Sequence, residues 1–293
     1  MKAKVKLNIY SFITVFLWAA AFPLTKVAGA YFSPYDLGLI RCTVAAASLL
    51  IIGMLSHMRK PLCKRDLFLM AITGIFGFAL YLIFFNTGIM TISSATSSVI
   101  VASTPIMTAI VCSRLYDERI SPAGRLAIFL SFMGVIILLF WKGALSIEIG
   151  VVWTLAAAVV FCIYNVLSRR LVSAGYSSVE IVTYGMISAA AVMMVFLPGT
   201  VAEISQAEPK ALIIAAALGV FPSAISYFLW AKAMSLADKT SEVTNYMFIT
   251  PLLSTVIGFL LLGEIPGMGT IIGGVVIIAG VILFAVKGSK SQV

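Results

Sequence analysis

Aromatic and polar side chains that could bind a small organic molecule recur in the middle of long apolar segments. Trp18, Phe22 and Lys26 are spaced four residues apart, so they share one helix face. Amide and hydroxyl clusters are disfavoured on lipid-facing surfaces, so we expect such faces to point into a helix bundle. Aromatic walls with a few hydrogen-bonding groups suit a small organic ligand, and an aromatic box can hold a quaternary amine. The candidate ligand-binding residues are Trp18, Phe22, Tyr81, Phe84, Ser97, Ser98, Tyr164, Asn165, Tyr227, Trp230, Asn245 and Tyr246.

Several of these side chains have a structural alternative. Serines before a proline in an apolar helix, such as Ser97 and Ser98, serve as small packing residues as well as ligands. Aromatic side chains near helix ends, such as Tyr10 and Trp141, are typical of anchors at the membrane interface. The mid-segment positions of Trp18 and Tyr81 leave a ligand-binding role open.

Three cations lie within apolar segments, at Lys26, Arg41 and Lys232. An arginine near the centre of a membrane helix costs about 2.5–3.5 kcal/mol on insertion scales. Arg41 either anchors an anionic group of a ligand or ties helices together through backbone carbonyls, and we favour the second interpretation. Lys26 and Lys232 lie near segment ends, where their long side chains can reach the interface.

The motifs of enzymes and metal sites are missing from the sequence. The one histidine, His57, falls in a basic loop, and neither GxSxG nor a glycine-rich phosphate loop occurs. The four cysteines have no CxxC spacing and are typical of apolar fillers. We therefore expect neither an enzyme nor a cofactor or metal site.

Composition indicates a membrane protein made of helices. Hydrophobic residues make up 61% of the chain and charged residues 11%, whereas soluble domains carry roughly 25% charged residues. A membrane helix needs about 20 apolar residues. Ten such segments are predicted, at 8–29, 35–55, 66–88, 93–113, 121–141, 148–168, 178–197, 210–235, 241–262 and 266–286, with the longest connection between Pro198 and Pro209.

The net charge of +9 is distributed as a topology signal. Most lysines and arginines fall in loops on one side of the predicted bundle, and only Lys142 and Lys210 fall in loops on the other. Cytoplasmic loops are enriched in these residues, so both termini are predicted to be cytoplasmic. The partners we expect are a lipid bilayer and a small-molecule substrate, and no nucleic acid.

The second half of the chain repeats part of the first with an offset of 146 positions. Tyr81 corresponds to Tyr227, Thr104-Pro105 to Thr250-Pro251, and Glu118 to Glu264. Each half holds five predicted helices, and an odd number inverts the second half relative to the first. We therefore predict two repeats, residues 1–143 and 144–293.

Prolines and glycines within the segments predict bends and close contacts. Pro23, Pro105, Pro222 and Pro251 each remove a backbone hydrogen bond, so a kink and a hinge are predicted at each. Gly269 and Gly273 form a GxxxG pair, which permits close approach of another helix. We favour packing within the chain, and a homodimer through this face is the alternative.

The ordered set of these residues resembles the drug/metabolite transporter superfamily, specifically its EamA-type ten-helix members. The first helix is similar to the family pattern Trp-Gly-x-x-Phe-x-x-x-Lys through Trp18, Phe22 and Lys26, with Ala19 in place of the glycine. Ile40-Arg41 resembles the Leu-Arg of the second helix. Each Thr-Pro pair is followed by a glutamate thirteen residues after its proline, and Ala231-Lys232 and Ala237 resemble the eighth helix.

The resemblance implies an all-α membrane protein with ten transmembrane helices, arranged as two inverted five-helix repeats around a central cavity. It implies a secondary transporter of small organic metabolites in the cytoplasmic membrane, working by alternating access and exporting amino acids or related compounds. The alternatives are an importer of amines or sugars, and a membrane scaffold or sensor that transports nothing.

Overall fold

The computed structural model describes residues 2–56, 58, 61, 63–115, 120–141, 148–237 and 240–287. Within this part of the chain, ten helices are long and apolar enough to cross a membrane, which confirms the predicted all-helical membrane fold. The proposed boundary near residue 143, Glu118 and His57 lie outside the described residues. The spans are α1 (Lys4–Gly29), α2 (Pro34–Leu55), α3 (Lys64–Ile89), α4 (Ser94–Leu115), α5 (Pro122–Phe140), α6 (Ile149–Ser173), α7 (Ser178–Gln206), α8 (Pro209–Leu236), α9 (Glu242–Leu262) and α10 (Met268–Lys287).

Serine caps begin several of these spans. The hydroxyls of Ser33, Ser93, Ser121 and Ser177 accept hydrogen bonds from backbone N–H groups three residues further along α2, α4, α5 and α7. Such a hydroxyl satisfies one of the free N–H groups in the first turn of a helix. Ser177 and Glu180 complete a capping box, so the start of α7 is held twice.

The predicted connection between Pro198 and Pro209 is mostly helical, which corrects the predicted end of α7. Within α7, the helix Ser178–Met193 continues through a 3-10 turn, Met194–Phe196, into the helix Leu197–Gln206. Pro198 falls in the first turn of that helix, where proline is tolerated. Contacts with α2 hold the segment, because Thr200 donates to Asp36 Oδ1 at 2.6 Å and the Ser33 N–H donates to Glu203 Oε2 at 2.9 Å.

Besides α7, four spans are interrupted, and these four interruptions fall at equivalent positions of the two halves. A π-helical segment begins at Ile75 in α3 and another at Phe221 in α8, 146 positions later. In α4 a new helix starts at Thr104 after a turn at Ser103, and in α9 a helix starts at Thr250 after the 3-10 segment Asn245–Ile249. Pro105, Pro222 and Pro251 each lie in or next to an interruption, whereas α1 runs through Pro23 as a continuous helix.

Side-chain hydroxyls satisfy the carbonyls that two of the prolines, Pro222 and Pro105, leave free. Pro222 has no N–H to donate to Leu218 O, and the Ser223 hydroxyl donates to that carbonyl at 2.9 Å. Pro105 likewise leaves Val101 O free, and the Thr104 hydroxyl donates to it at 2.6 Å. Unsatisfied backbone groups are costly at membrane depth, so these hydroxyls make the interruptions tolerable.

The strongest contacts between spans recur when the two halves are exchanged. α5 packs on α10, α2 on α7, and α4 on α9, so these six spans contact their own counterparts. α1 packs on α8 just as α6 packs on α3, and α1 on α9 just as α6 packs on α4. The helices that carry the candidate binding residues therefore meet in the middle of the molecule.

Glycines allow the close contact between α5 and α10. A Cβ at Gly134 would lie 2.7 Å from the carbonyl oxygen of Gly273, and a Cβ at Gly273 would lie 2.9 Å from that of Gly134. Gly269 is buried against Trp141 in the same way. The GxxxG face of α10 is thus used for packing within the chain.

Gly134→Ala is expected to lower the melting temperature of the detergent-solubilised protein. The new methyl group would meet backbone atoms of α10 that cannot move independently, and overpacking of this kind costs about 1–3 kcal/mol. Gly267→Ala is the control, because no atom lies within 4 Å of a Cβ there. Equal melting temperatures for Gly134→Ala and the wild type would contradict the close approach of α5 and α10.

Ser223→Ala is expected to destabilise the protein by about 1 kcal/mol, because it leaves the Leu218 carbonyl in α8 without its donor. The matched control on the same span is Ser235→Ala, since the Ser235 hydroxyl is exposed and bonds only to Lys232 O. Thermal unfolding followed by circular dichroism measures both variants. A Ser223→Ala protein as stable as Ser235→Ala would show that the π segment does not need this hydroxyl.

Candidate functional site

Six of the predicted ligand-binding residues lie in one continuous aromatic cluster. The aromatic cluster consists of Trp18, Phe22, Phe78, Tyr81, Phe85, Phe161, Tyr164, Tyr227 and Trp230. The centroids of successive rings are 5.1–5.7 Å apart, for example 5.1 Å for Trp18 and Trp230 and 5.7 Å for Phe78 and Tyr227. These separations are typical of favourable aromatic pairs.

The aromatic cluster is built by two helices from each half of the chain, α1 and α3 with α6 and α8. Tyr81 and Tyr227 occupy equivalent positions just after the π-helical segments of α3 and α8. A π turn adds one residue to the helix and so changes the direction in which the following side chains point. The two interruptions therefore help to aim both tyrosines at the centre of the molecule.

Glycine at position 77 brings α3 and α6 together at the cluster. A Cβ there would lie 2.2 Å from Cδ2 of Tyr164. Without a side chain at this position, the Tyr164 ring rests directly on the α3 backbone and meets Phe78 at 5.2 Å. On α1, the indole N–H of Trp18 donates to Pro222 O at 3.2 Å, which fixes that ring against the π segment of α8.

Arg41 lies beside the aromatic cluster and is almost fully buried, with 4% of its surface exposed. Its Nη1 donates to Thr25 Oγ1 at 3.1 Å and to Asn86 Oδ1 at 3.4 Å, and its Nη2 to Ser223 Oγ at 3.5 Å. Cys42, the next residue on α2, lies in the buried core against which Tyr81 and Tyr227 pack. These hydrogen bonds go to side-chain oxygens on α1, α3 and α8, so the expected contacts with backbone carbonyls are wrong.

Lys26 forms an ion pair with Glu264, in the connection between α9 and α10. The other carboxylate oxygen of Glu264 accepts from the backbone N–H of Ser94 at 2.8 Å, at the start of α4. Lys26, near the end of α1, is therefore held by Glu264 and, through it, by the start of α4. We call these contacts the Lys26–Glu264 bridge.

The other predicted residues are not members of the aromatic cluster. Ser98 is buried and donates to Ala95 O, while the buried hydroxyl of Ser97 has no hydrogen-bond partner among the described residues. Phe84 borders the cluster, because it packs against the buried group that includes Phe22 and Phe85, and its ring meets Trp153 with centroids 5.6 Å apart. The Asn165 amide donates to Thr108 Oγ1 at 3.3 Å.

The polar residues of α9 and the cation of α8 also lie elsewhere. Asn245 is exposed and Tyr246 half-buried at the start of the 3-10 segment of α9. Lys232 is exposed, and its ammonium group lies 5.5 Å from the centroid of the Phe228 ring. In the described part of the chain, no group of three histidine, cysteine, aspartate or glutamate side chains could hold a metal ion.

The sequence did not single out the polar neighbours of Arg41. Thr25, Asn86 and Ser223 come from three different spans, and their proximity follows from how those spans pack. One signal was present, because Asn86 is an amide within an apolar helix and must find partners there. Its Nδ2 donates to Pro34 O at 2.9 Å, which turns its carbonyl oxygen towards Arg41.

Two transport proteins and a protein of known structure are similar to this chain. An uncharacterized transporter of Bacillus subtilis, YdfC, is 32% identical over 99% of this chain and 94% of its own length. A probable terminal-alkyne amino-acid exporter of Streptantibioticus cattleyicolor is 28% identical over 92% of this chain and 90% of its own length. A protein of known crystal structure has the same fold, with a TM-score of 0.65 over 98% of both chains and 19% sequence identity.

The model of the EamA-like transporter family matches the chain twice, over residues 6–140 and 148–286. The two matches account for nearly all the described residues and for every span. A transport protein of this kind is embedded in a membrane through many helices, in agreement with the ten spans. The chain belongs to the EamA-like transporter family.

Proposed function

We propose that this protein exports amino acids or related small organic metabolites across the cytoplasmic membrane by alternating access. The observation that carries the proposal is the aromatic cluster, which gathers side chains from α1, α3, α6 and α8 beside a buried arginine. Ligand sites in transporters lie near the middle of the bilayer, where two repeats meet and helices are interrupted. Both termini face the cytoplasm in this proposal, as the distribution of lysine and arginine indicates.

Internal symmetry supports the alternating-access part of the proposal. The proposed halves, residues 1–143 and 144–293, carry π segments at equivalent positions, and the strongest helix contacts recur when the halves are exchanged. Two repeats in opposite orientation can exchange conformations, and that exchange would open the central site first to one side and then to the other. Pro105, Pro222 and Pro251 are the proposed hinges, because each lies at or next to an interruption.

Amino-acid export rests on the chemistry of the site and on one relative. Aromatic walls bind apolar side chains, and hydrogen-bonding groups orient the polar end of a ligand. The relative from Streptantibioticus cattleyicolor is named as an amino-acid exporter. Import of an amine is the second candidate, because the rings of Trp18 and Trp230 could face a cation.

The Lys26–Glu264 bridge is the proposed closure at the end of the bundle that holds the α1–α2 and α9–α10 connections. It joins α1 to α4 and α9, and so links the two halves where a solute would leave. Both side chains are mostly buried, with 22% and 15% exposed. Opening this end requires the ion pair to separate, as repacked salt bridges do in other conformational transitions.

Trp18→Ala or Tyr227→Ala is expected to lower transport at least tenfold in liposomes that contain the purified protein. Aromatic residues at the centre of a binding site commonly contribute 1–3 kcal/mol, so the loss of one ring should be visible in the flux of radiolabelled amino acids. The control is Tyr31→Ala, because Tyr31 is exposed at a helix end. Wild-type flux in both cluster variants would contradict a ligand site at the aromatic cluster.

Glu264→Gln is expected to make position 94 more reactive towards a maleimide. The hydroxyl of Ser94 is fully buried beneath the Lys26–Glu264 bridge, so a thiol introduced by Ser94→Cys reports on opening of this end. The background replaces the native cysteines by alanine, since Cys63 is exposed.

Glu208→Gln is the matched control for this labelling, because the Glu208 side chain is exposed and makes no capping hydrogen bond. The labelling rate should rise in Glu264→Gln and stay at the background rate in Glu208→Gln. Equal rates in the two variants would show that the ion pair does not hold this end closed.

A further inference from the structure

Arg41 is a buried cation without an anionic partner in the described part of the chain. Lys26, in contrast, forms an ion pair with Glu264. The guanidinium of Arg41 meets neutral oxygens instead, and two of its three hydrogen bonds, to Asn86 and Ser223, are long. Its Nε is buried and has no hydrogen-bond partner among the described residues.

This arrangement is unfavourable for an arginine whose role is only structural. Removing a charge from water costs several kcal/mol unless good ion pairs and hydrogen bonds compensate. Three neutral contacts and a free Nε compensate for only part of that cost. A glutamine at position 41 could form hydrogen bonds with Thr25 and Asn86 without burying a charge. The presence of a charge at this position therefore indicates a functional role for it.

The guanidinium matches a carboxylate. Its planar fork of donors can bind both oxygens of a carboxylate at once, and such charge-assisted pairs are about twice as strong as neutral hydrogen bonds. Thr25, Asn86 and Ser223 keep the fork in position, and each comes from a different span. The free Nε leaves one edge of the fork available for an incoming anion.

The aromatic cluster lies on the side where the rest of such a ligand would extend. Tyr81 and Tyr227 are cluster members and pack against the buried core that contains Leu39 and Cys42, which flank Arg41 on α2. Ser223, which contacts Arg41, follows Pro222, whose carbonyl accepts from the indole of Trp18. A solute with its carboxylate at Arg41 could therefore place an apolar or aromatic body along the rings.

We propose that Arg41 binds the carboxylate of the transported solute, and that the substrates are small carboxylic acids with an apolar or aromatic body, zwitterionic amino acids among them. The inference rests on the proposed transport function and specifies its substrate class. Arg41 would also favour acids over simple amines, because a buried positive charge beside the rings repels an amine. The same charge makes amine import the weaker candidate.

Matched acid and amide ligands test this anchor on the wild-type protein. The probes are L-phenylalanine and 3-phenylpropionate, which carry a carboxylate, and L-phenylalaninamide and phenethylamine, which do not. In thermal-shift titrations of the purified full-length protein, the two acids should raise the melting temperature in a saturable way. Stabilisation by the amide or the amine that equals that of the acids would overturn the proposal, and so would the absence of any response to the acids.

Substitutions of Arg41 distinguish an anchor for the ligand carboxylate from a residue that only ties helices together. Arg41→Gln should weaken binding of the acids by roughly 30-fold or more, the effect of removing one partner of a buried charge pair. The melting temperature of its ligand-free form should equal or exceed that of the wild type, because an uncompensated charge is gone. Lys232→Gln is the control, since it removes an exposed cation from α8 and should leave acid binding unchanged.

Several outcomes would contradict the anchor. A fall in ligand-free stability of Arg41→Gln with acid binding retained would identify Arg41 as a structural tie. If Arg41→Gln fails to fold, Arg41→Lys and the comparison of acids with amides on the wild type still test the proposal. The Arg41→Lys variant must bind the acids more weakly than the wild type, because lysine lacks the planar fork of donors.

Flux measurements distinguish failure of the anchor from failure of the transport function. Transport of a solute without a carboxylate that depends on Tyr227 and not on Arg41 would overturn the anchor and leave the transporter intact. Absence of flux for every acid, with acid binding still dependent on Arg41, would overturn the transport function and leave the anchor standing.

Discussion

Backbone groups at membrane depth must find hydrogen-bond partners within the protein, and this constraint shapes the centre of the molecule. Pro222 frees the carbonyl of Leu218, and Ser223 satisfies it. The carbonyl of Pro222 itself accepts from Trp18, which fixes a ring of the aromatic cluster. Ser223 also accepts from Arg41, so the residues that repair an interrupted helix also build the candidate site.

Arg41 marks a difference between the two halves of the chain. Ser33 and Ser177 cap α2 and α7, and counted from these caps Gly185 stands where α2 has Arg41. Gly185 uses its position for close contact with the backbone of Gly74 on α3. One half therefore contributes charge at the centre while the other contributes close packing, and this difference fits the proposed ligand with one anionic end.

Much of the fold could be predicted from the sequence, because long apolar segments and their spacing are local properties. The ten spans and the interruptions near Pro105, Pro222 and Pro251 followed from single residue types. The partners of Lys26 and Arg41 depend on which helices become neighbours, and a pattern along one chain does not contain that. The same limit applies to Asn245, which lies exposed and apart from the aromatic cluster, and to the helical end of α7.

Tryptophan fluorescence tests most directly whether the aromatic cluster is where a transported solute binds. Two of the four tryptophans, Trp18 and Trp230, lie in the aromatic cluster, and Trp141→Phe with Trp153→Phe leaves these two as the only reporters. A solute that the protein moves across liposomes should change their emission saturably, at concentrations that match its transport. A transported solute that leaves this emission unchanged at saturation would contradict the account.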